Sequence, residues 1–429
     1  MTITIHRGTH EIGGSCIELE TAHFRLFLDF GLPLAINEGK GTNPRFDPSA
    51  PISELVADGI VPRIPYLIEK KDNQPTALLL THSHLDHYGL IPLLPNDLPI
   101  YTSRGTKSLL VMANFFGQSQ VDQAQIFSLE PWKKFEVNGI SITPYLADHS
   151  AVDAFSYLIE AEGTRIFYTG DIRAHGRKYI LFKNLITNPP KDVDYLIIEG
   201  SMIGRAQSEF KTEQDIENKL VEELSSKGLY LASFSSQNID RFVSFFRACR
   251  KTDRTLVVDP YTAAILHSIR ELSPNIPQHD WKTGFKVFFV PNNATKKMAD
   301  DKCLFKFKSA KITLDEIMAN KERLVIKENW MIRQILLHKN LLDSAKLIYS
   351  MWDGYLDRDS FWQQRGVPMI QIHCSGHAYK DDLKAIIEAI NPKAVIPNHT
   401  FFPEAMKDFY SGKTIVLQDG EQFFCKKHD

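Results

Sequence analysis

No two of the five cysteines in this chain form a C-x-x-C pair. Cys16, Cys249, Cys303, Cys374 and Cys425 are odd in number and widely spaced, which argues against a disulfide framework and against a thiolate zinc site, and fits a reducing cytosol. Long apolar runs are also missing, so no segment is expected to span a bilayer. The chain opens with Met1-Thr2-Ile3-Thr4-Ile5, an alternating strand pattern rather than a basic stretch followed by an apolar one, and export is not indicated. Neither charge sign dominates: 50 Lys and Arg against 52 Asp and Glu leave a formal net charge of -2, so a surface for a polyanion has to be a local patch. At 429 residues the chain is longer than one hydrophobic core usually supports, and two compact units are expected.

Histidine is where the sequence concentrates its chemistry. Directly behind Leu78-Leu79-Leu80 comes Thr81-His82-Ser83-His84-Leu85-Asp86-His87, with three imidazoles and a carboxylate in six positions. A buried strand cannot carry so many polar groups, so they must emerge where it stops. Alternation along an extended chain then puts His82 and His84 on one side. Asp86 is expected to begin a helix through Leu90, Ile91, Leu93 and Leu94, which turns Asp86 and His87 toward a second ion. Taken singly, each of these has a bland reading as a core histidine or a helix cap. Four together point to a metal site built from imidazole and carboxylate ligands.

The same arrangement of strand followed by polar group recurs. Phe24-Arg25-Leu26-Phe27-Leu28 ends in Asp29, a position that suits a turn aspartate as well as a carboxylate that orients a metal-bound histidine. Residues 32–75, rich in Pro, Gly, Asn and Asp, read as a long surface excursion with few regular elements and no assigned chemistry. A strand through Ile140, Ser141 and Ile142 leads to Ala147-Asp148-His149, Arg165-Ile166-Phe167-Tyr168 leads to Thr169-Gly170-Asp171, and Tyr195-Leu196-Ile197-Ile198 ends in Glu199. His149 and Asp171 are further ligand candidates. Strands ending in Asp29, His82, Asp171 and Glu199 resemble the metallo-β-lactamase fold, an α/β αββα sandwich with a two-metal site along one edge of its sheets.

Past Ser201 the pattern changes to strand-helix pairs. Leu229-Tyr230-Leu231-Ala232-Ser233-Phe234 precedes Ile239, Phe242, Val243 and Phe246 at helical spacing, and Thr255-Leu256-Val257-Val258-Asp259 precedes a helix through Ile265 and Ile269. Val287-Phe288-Phe289-Val290, Leu324-Val325-Ile326 and Leu347-Ile348-Tyr349 add strands. This alternation implies a parallel α/β domain inserted into the first. Then Met369-Ile370-Gln371-Ile372-His373 resumes a buried strand, followed by Cys374-Ser375-Gly376-His377, a helix with Leu383, Ile386, Ile387 and Ile390, and Ala394-Val395-Ile396-Pro397-Asn398-His399.

With the two histidines after the insertion, the chain resembles the β-CASP nucleases over nearly its whole length. That branch of the metallo-β-lactamase fold includes ribonuclease J and the endonuclease of messenger-RNA 3′ processing. The family's motifs fall in order on Asp29, His82-Ser83-His84-Leu85-Asp86-His87, His149, Asp171, Glu199, His377 and His399. The resemblance implies a metallo-β-lactamase domain at 1–203 and 367–429 with a β-CASP domain at 204–366. It also implies two divalent metal ions, zinc or else manganese: one on His82, His84, His149 and Asp171, the other on Asp86, His87, Asp171 and His399. Catalytic work falls to His377 as general acid, to Asp86, and to Glu199 and Asp29 behind the ligands. Ser375, Gly376 and His377 are expected to contact substrate, as are Ser233, Ser235, Ser236 and Asn238, which open a helix whose free N–H groups suit a phosphate; a plain helix cap is the competing reading. Seven Lys against two Asp in residues 286–311 mark either a basic lip for a nucleic-acid backbone or a solvated face.

The implied activity is phosphodiester hydrolysis by a metal-activated hydroxide, exo- or endonucleolytic, on single-stranded RNA. RNA is expected because RNA-cutting members carry a histidine at the last motif, here His399, where the DNA-cutting branch has an apolar residue. A homo-oligomer stays open, since ribonuclease J carries a further C-terminal domain whereas about thirty residues follow His399 here. Three rival readings compete: a DNA nuclease of the same family, a small-molecule hydrolase of the same fold acting on a thioester or lactone, and a non-catalytic scaffold. An insertion of about 160 residues counts against the second, and the full ligand set against the third.

Overall fold

The alternating residues of the N-terminal strands commit opposite faces to different layers. In the computed structural model, which describes residues 1–34, 46–68, 74–205, 208–342, 345–358 and 361–426, Thr2–Arg7 pairs antiparallel with Cys16–Glu20, which pairs antiparallel with Arg25–Leu28. Thr76–Leu79, Ile100–Ser103 and Ile126–Leu129 then follow Arg25–Leu28 in parallel, and Gln422–Phe424 closes the other edge to make seven strands. A second sheet of six strands carries Phe135–Val137, Ile140–Leu146, Phe155–Ala161 and Thr164–Tyr168 antiparallel in turn. Tyr195–Glu199 and Ala394–Asn398 extend it in parallel.

Ile3, Ile5, Ile17, Leu19, Leu26, Leu28 and Leu79 of the first sheet pack against Ile142, Tyr157, Ile159, Ile166, Ile197 and Ile396 of the second. The intervening residues Phe27, Leu78 and Leu80 point the other way, into a cluster with Leu55, Leu90 and Leu110. On the far side of the second sheet Leu158, Phe167, Leu196 and Ile198 meet Leu383, Ile386, Ile387 and Ile390. Period-2 alternation thus buries both faces of each sheet, giving the layered αββα sandwich. The helix Lys380–Ile390 takes its buried stripe at i, i+3, i+4 and i+7 and stops at Asn391 in the left-handed conformation (φ 49°).

This compact unit comprises Met1–Leu110, Gln120–Gln207 and Gly376–Asp429, and a second compact unit comprises Val111–Ser119 and Ser208–Ser375. The second unit holds a seven-stranded sheet in the order Lys311–Ile312, Lys286–Phe288, Thr255–Val258, Leu324–Lys327, Leu229–Ser233, Ala345–Tyr349 and Met369–Gln371, with every pairing parallel. At its carboxyl edge Asp259 is buried, accepts from the backbone N–H of Thr262 at 2.7 Å and pairs with Lys327 at 2.9 Å. A helix long and apolar enough to cross a membrane is absent among the described residues.

Two local expectations differ from the structure, and a third, that residues 32–75 carry few regular elements, agrees with it. Met369–Gln371 pairs with Ala345–Tyr349 in the parallel sheet, so the chain rejoins the first unit at Gly376 rather than at 367. The helix after the histidine cluster is one turn, Leu85–Tyr88, with His84 rather than Asp86 at its N-cap; Gly89 ends it, and a separate 3-10 turn, Ile91–Leu93, begins with Pro92 in its first positions. Within 32–75 there are two short helices, Ile52–Ala57 and Pro65–Ile68, while the rest of that excursion at 35–45 and 69–73 lies outside the described residues.

Candidate metal centre

The parallel strands of both sheets deliver their polar residues to one edge, the carboxyl ends, where α/β folds place ligands. Thr76–Leu79 leads to His82, His84, Asp86 and His87; Arg25–Leu28 to Asp29; Thr164–Tyr168 to Asp171; Tyr195–Glu199 ends in Glu199, and Ala394–Asn398 is followed by His399. His149 follows the strand Ile140–Leu146. Two groups of potential ligand atoms result, each within 4.8 Å of one another: His82, His84, His149 and Asp171 in one, Asp86, His87, Asp171 and His399 in the other. A third grouping joins Glu199, His377 and His399.

Asp171 sits between the two groups. Its Oδ2 lies 3.7 Å from His82 Nε2, 3.2 Å from His87 Nε2 and 4.0 Å from His149 Nε2, and its Oδ1 lies 3.7 Å from His399 Nδ1. His149 Nε2 approaches His84 Nδ1 to 3.1 Å, and His399 Nε2 approaches Asp86 Oδ2 to 3.4 Å. Among the described residues, His82 Nε2, His87 Nε2 and Asp171 Oδ1 are buried with no hydrogen-bond partner. Each such atom costs about 1–3 kcal/mol if nothing satisfies it. Converging imidazole nitrogens and a carboxylate oxygen without partners are the donor set a divalent cation satisfies, so the residues fit a metal.

Burial drives the His84 imidazole down to about 4, and it likewise lowers His82 and His149, so all three are held in the neutral form that can ligate. Burial also opposes ionisation of Asp86 and Asp171, yet both carboxyls stay below the usual range. His399 and His87 hold Asp86 there, and His87, His399 and His377 hold Asp171. His87 is pulled upward against burial by Asp171 and Asp29, the same field that would draw in a cation.

The outer contacts set ring orientation. Asp29 Oδ2 accepts from His87 Nδ1 at 2.7 Å and from the Tyr168 hydroxyl at 2.8 Å, while its Oδ1 accepts from the backbone N–H of Thr81 at 2.8 Å. With the proton on Nδ1, His87 turns its Nε2 lone pair inward. Ser201 Oγ lies 2.7 Å from His399 Nδ1 and does the same for that ring. Glu199 Oε2 lies 3.2 Å from His377 Nδ1; its Oε1 accepts from the N–H of Ile172 at 3.1 Å. Although burial lowers His377, Glu199 and Asp171 raise it to about 9, and its side chain is 22 % exposed. Asp29 and His399 have φ of 60° and 53°, a left-handed backbone that costs a non-glycine residue about 1–3 kcal/mol and recurs at functional sites.

Ser201, Tyr168 and Thr81 were not picked out from the sequence, because a single hydroxyl beside a strand end carries no spacing signal. Gly31 acts through contact, which the sequence does not show either. A Cβ there would meet Asp86 O at 1.7 Å. Of the predicted substrate contacts, Gly376 lies near Ser150 and His149, and Ser375 belongs to the second unit. Also in the second unit, Ser233 Oγ donates to Glu328 at 2.7 Å, Ser236 Oγ meets Thr262 Oγ1 at 2.8 Å, and Asn238 caps its helix by accepting from the N–H of Arg241 at 3.0 Å. Ser233 and Ser236 are committed inside the fold, the half-buried Asn238 is engaged as a cap, and Ser235 is the exposed hydroxyl of the group. Lys296, Lys297, Lys302, Lys306, Lys308 and Lys311 are exposed.

A family model described as a beta-lactamase superfamily domain matches residues 43–214, and one described as a Zn-dependent metallo-hydrolase RNA specificity domain matches residues 368–408. The chain is 21 % identical to ribonuclease J of Mycoplasma genitalium, over 92 % of this chain and 67 % of that protein. It is 23 % identical to ribonuclease J of Mycoplasma pneumoniae, over 91 % of this chain and 66 % of that one. It thus spans about two thirds of the length of these relatives. A crystal structure of a protein of unknown function from Enterococcus faecalis V583 superposes with a TM-score of 0.78 at 25 % identity, covering 98 % of this chain and 99 % of the other.

Proposed function

Because the chain belongs to the β-CASP nuclease family of the metallo-β-lactamase fold, we propose that it is a metal-dependent ribonuclease that hydrolyses single-stranded RNA with two divalent cations, zinc or else manganese. The observation that carries this reading is the position of Asp171 between two sets of buried ligand atoms. His82, His84, His149 and Asp171 hold one ion; Asp86, His87, Asp171 and His399 hold the other. When bound, such a pair supplies hydroxide near neutral pH and neutralises charge developing on the phosphodiester. An all-nitrogen and oxygen ligand set suits zinc and does not reject manganese.

The chain's own part is orientation and a proton. Asp29 and Ser201 fix His87 and His399 from behind. His377, held through Nδ1 by Glu199 and 22 % exposed, protonates the leaving oxygen. In this reading the first unit is the metallo-β-lactamase domain, the all-parallel second unit is the β-CASP insertion, and the exposed lysines of residues 286–311 attract the RNA backbone. Five free cysteines support a reducing, cytosolic setting.

RNA is favoured over DNA by the RNA-specificity match at residues 368–408 and by His399 at the last motif position. The test is a pair of 5′-phosphorylated single-stranded oligonucleotides of one sequence, RNA and DNA, incubated with zinc- or manganese-loaded protein. The RNA should be cleaved faster. Faster cleavage of the DNA would reverse the substrate assignment, and cleavage of neither would remove the nuclease reading.

A further inference from the structure

Two residues beyond His399 the chain exposes a pair of aromatic rings, Phe401 at 47 % and Phe402 at 48 %. Two extended residues span at most about 7 Å, so Phe401 stays close to the end of the strand that delivers His399. The turn leaving Glu199 arrives at the same place. A Cβ built on Gly200 would meet the Thr400 side chain at 2.9 Å, and one on Gly204 would meet the Phe402 ring at 2.5 Å, so the two loops are packed against each other. Next along that turn, the Arg205 guanidinium stands 5.8 Å from the Phe401 ring centroid, within cation–π range.

A single exposed phenylalanine needs no explanation. This one differs in three respects: it is one of a successive pair, a cation flanks its ring, and it sits on loops that leave two residues of the metal edge. It also falls inside residues 368–408, matched as an RNA specificity domain. Single-stranded nucleic acid is held in this way, with bases stacked on aromatic faces and the backbone drawn to a neighbouring cation.

We propose that Phe401 is a stacking platform for an unpaired base of the RNA that flanks the cleaved linkage, with Phe402 bracing it and Arg205 beside it for the adjoining phosphate. This rests on the ribonuclease reading and adds a demand to it. The substrate must present a free base next to the scissile bond, so a base-paired site is disfavoured.

The test uses full-length, metal-loaded protein and a series of single-stranded RNAs, each lacking the base at one successive position around the cleavage site. For each protein variant the quantity read is the ratio of kcat/KM on intact RNA to kcat/KM on each abasic RNA, in which the folded fraction cancels. Wild-type protein should prefer the intact RNA by roughly 5- to 150-fold at one position, the range a stacked base contributes. Phe401→Ala should bring that ratio close to one, and Phe401→Trp should restore it. The platform is overturned if wild type shows no preferred position, if Phe401→Ala keeps the preference, or if Phe401→Leu restores it as well as Phe401→Trp does. Wild type that cleaves all the RNAs equally defeats the platform alone, whereas wild type that cleaves none defeats the ribonuclease reading as well.

Discussion

Replacing Gly31 by alanine should cost the protein one of the two metals proposed for it without replacing a candidate ligand. The segment around Gly31 is stitched to the metal loop by backbone bonds: Phe30 N–H to His87 O at 2.8 Å, Leu32 N–H to Leu85 O at 2.9 Å, and Leu90 N–H to Phe30 O at 3.1 Å. A Cβ on Gly31 would lie 1.7 Å from Asp86 O, 2.3 Å from Asp86 C and 2.9 Å from His87 N, where real Cβ contacts essentially never fall below 3.0 Å. The backbone carrying Asp86 and His87 therefore has to retreat by more than 1 Å. Ligand distances in metal sites hold to about 0.2 Å, so a movement several times larger removes both residues from one ion. His82, His84, His149 and Asp171 should keep the other. Elemental analysis should find about one ion per chain in place of two, and RNA turnover should fall by about 10²-fold or more, as a 1 Å misplacement commonly does. A Gly31→Ala protein with the wild-type metal load and turnover would refute the argument from close packing.

Three further outcomes follow from the same geometry. Asp171→Ala should lose most of both ions, because its carboxylate stands between the two groups; an unchanged metal load would remove it from the bridge. His377→Ala should retain its metals and turn over about 10²- to 10⁴-fold more slowly, while His399→Ala should weaken one ion, and the opposite pattern would exchange the two roles. Asp29→Asn and Ser201→Ala, which disturb the partners of His87 and His399, should each reduce metal affinity by about 10- to 100-fold in competition with a chromogenic chelator; affinities equal to wild type would make those hydrogen bonds incidental.

The candidate ligands were legible because each breaks a rule of the element before it. A buried strand such as Thr76–Leu79 or Tyr195–Glu199 has no use for a charged or imidazole terminus unless something there requires one. The αββα sandwich and the parallel insertion were legible for a related reason, since period-2 runs and strand-helix alternation specify which faces are buried. What escaped was information carried by contact rather than pattern. Ser201 and Tyr168 matter through single hydrogen bonds to His399 and Asp29, and Gly31 through an approach to Asp86 that only the fold creates. The helix expected from Asp86 onward stops after one turn because Gly89 and Pro92 interrupt it, although the apolar spacing of Leu90, Ile91 and Leu94 looked continuous. Which sheet Met369–Gln371 joins was not legible, because an apolar strand does not declare its neighbour; its pairing with Ala345–Tyr349 is a tertiary choice.

Paired metals held around Asp171 should cut RNA, and an end-labelled digest tests this most directly. A 5′-labelled single-stranded RNA is incubated with zinc- or manganese-loaded protein, with the same protein after chelation, and with Asp171→Ala. Cleavage by the loaded protein alone, restored to the chelated sample when metal is returned, is the predicted result. RNA left intact by the loaded protein, or cut equally by Asp171→Ala, would contradict it.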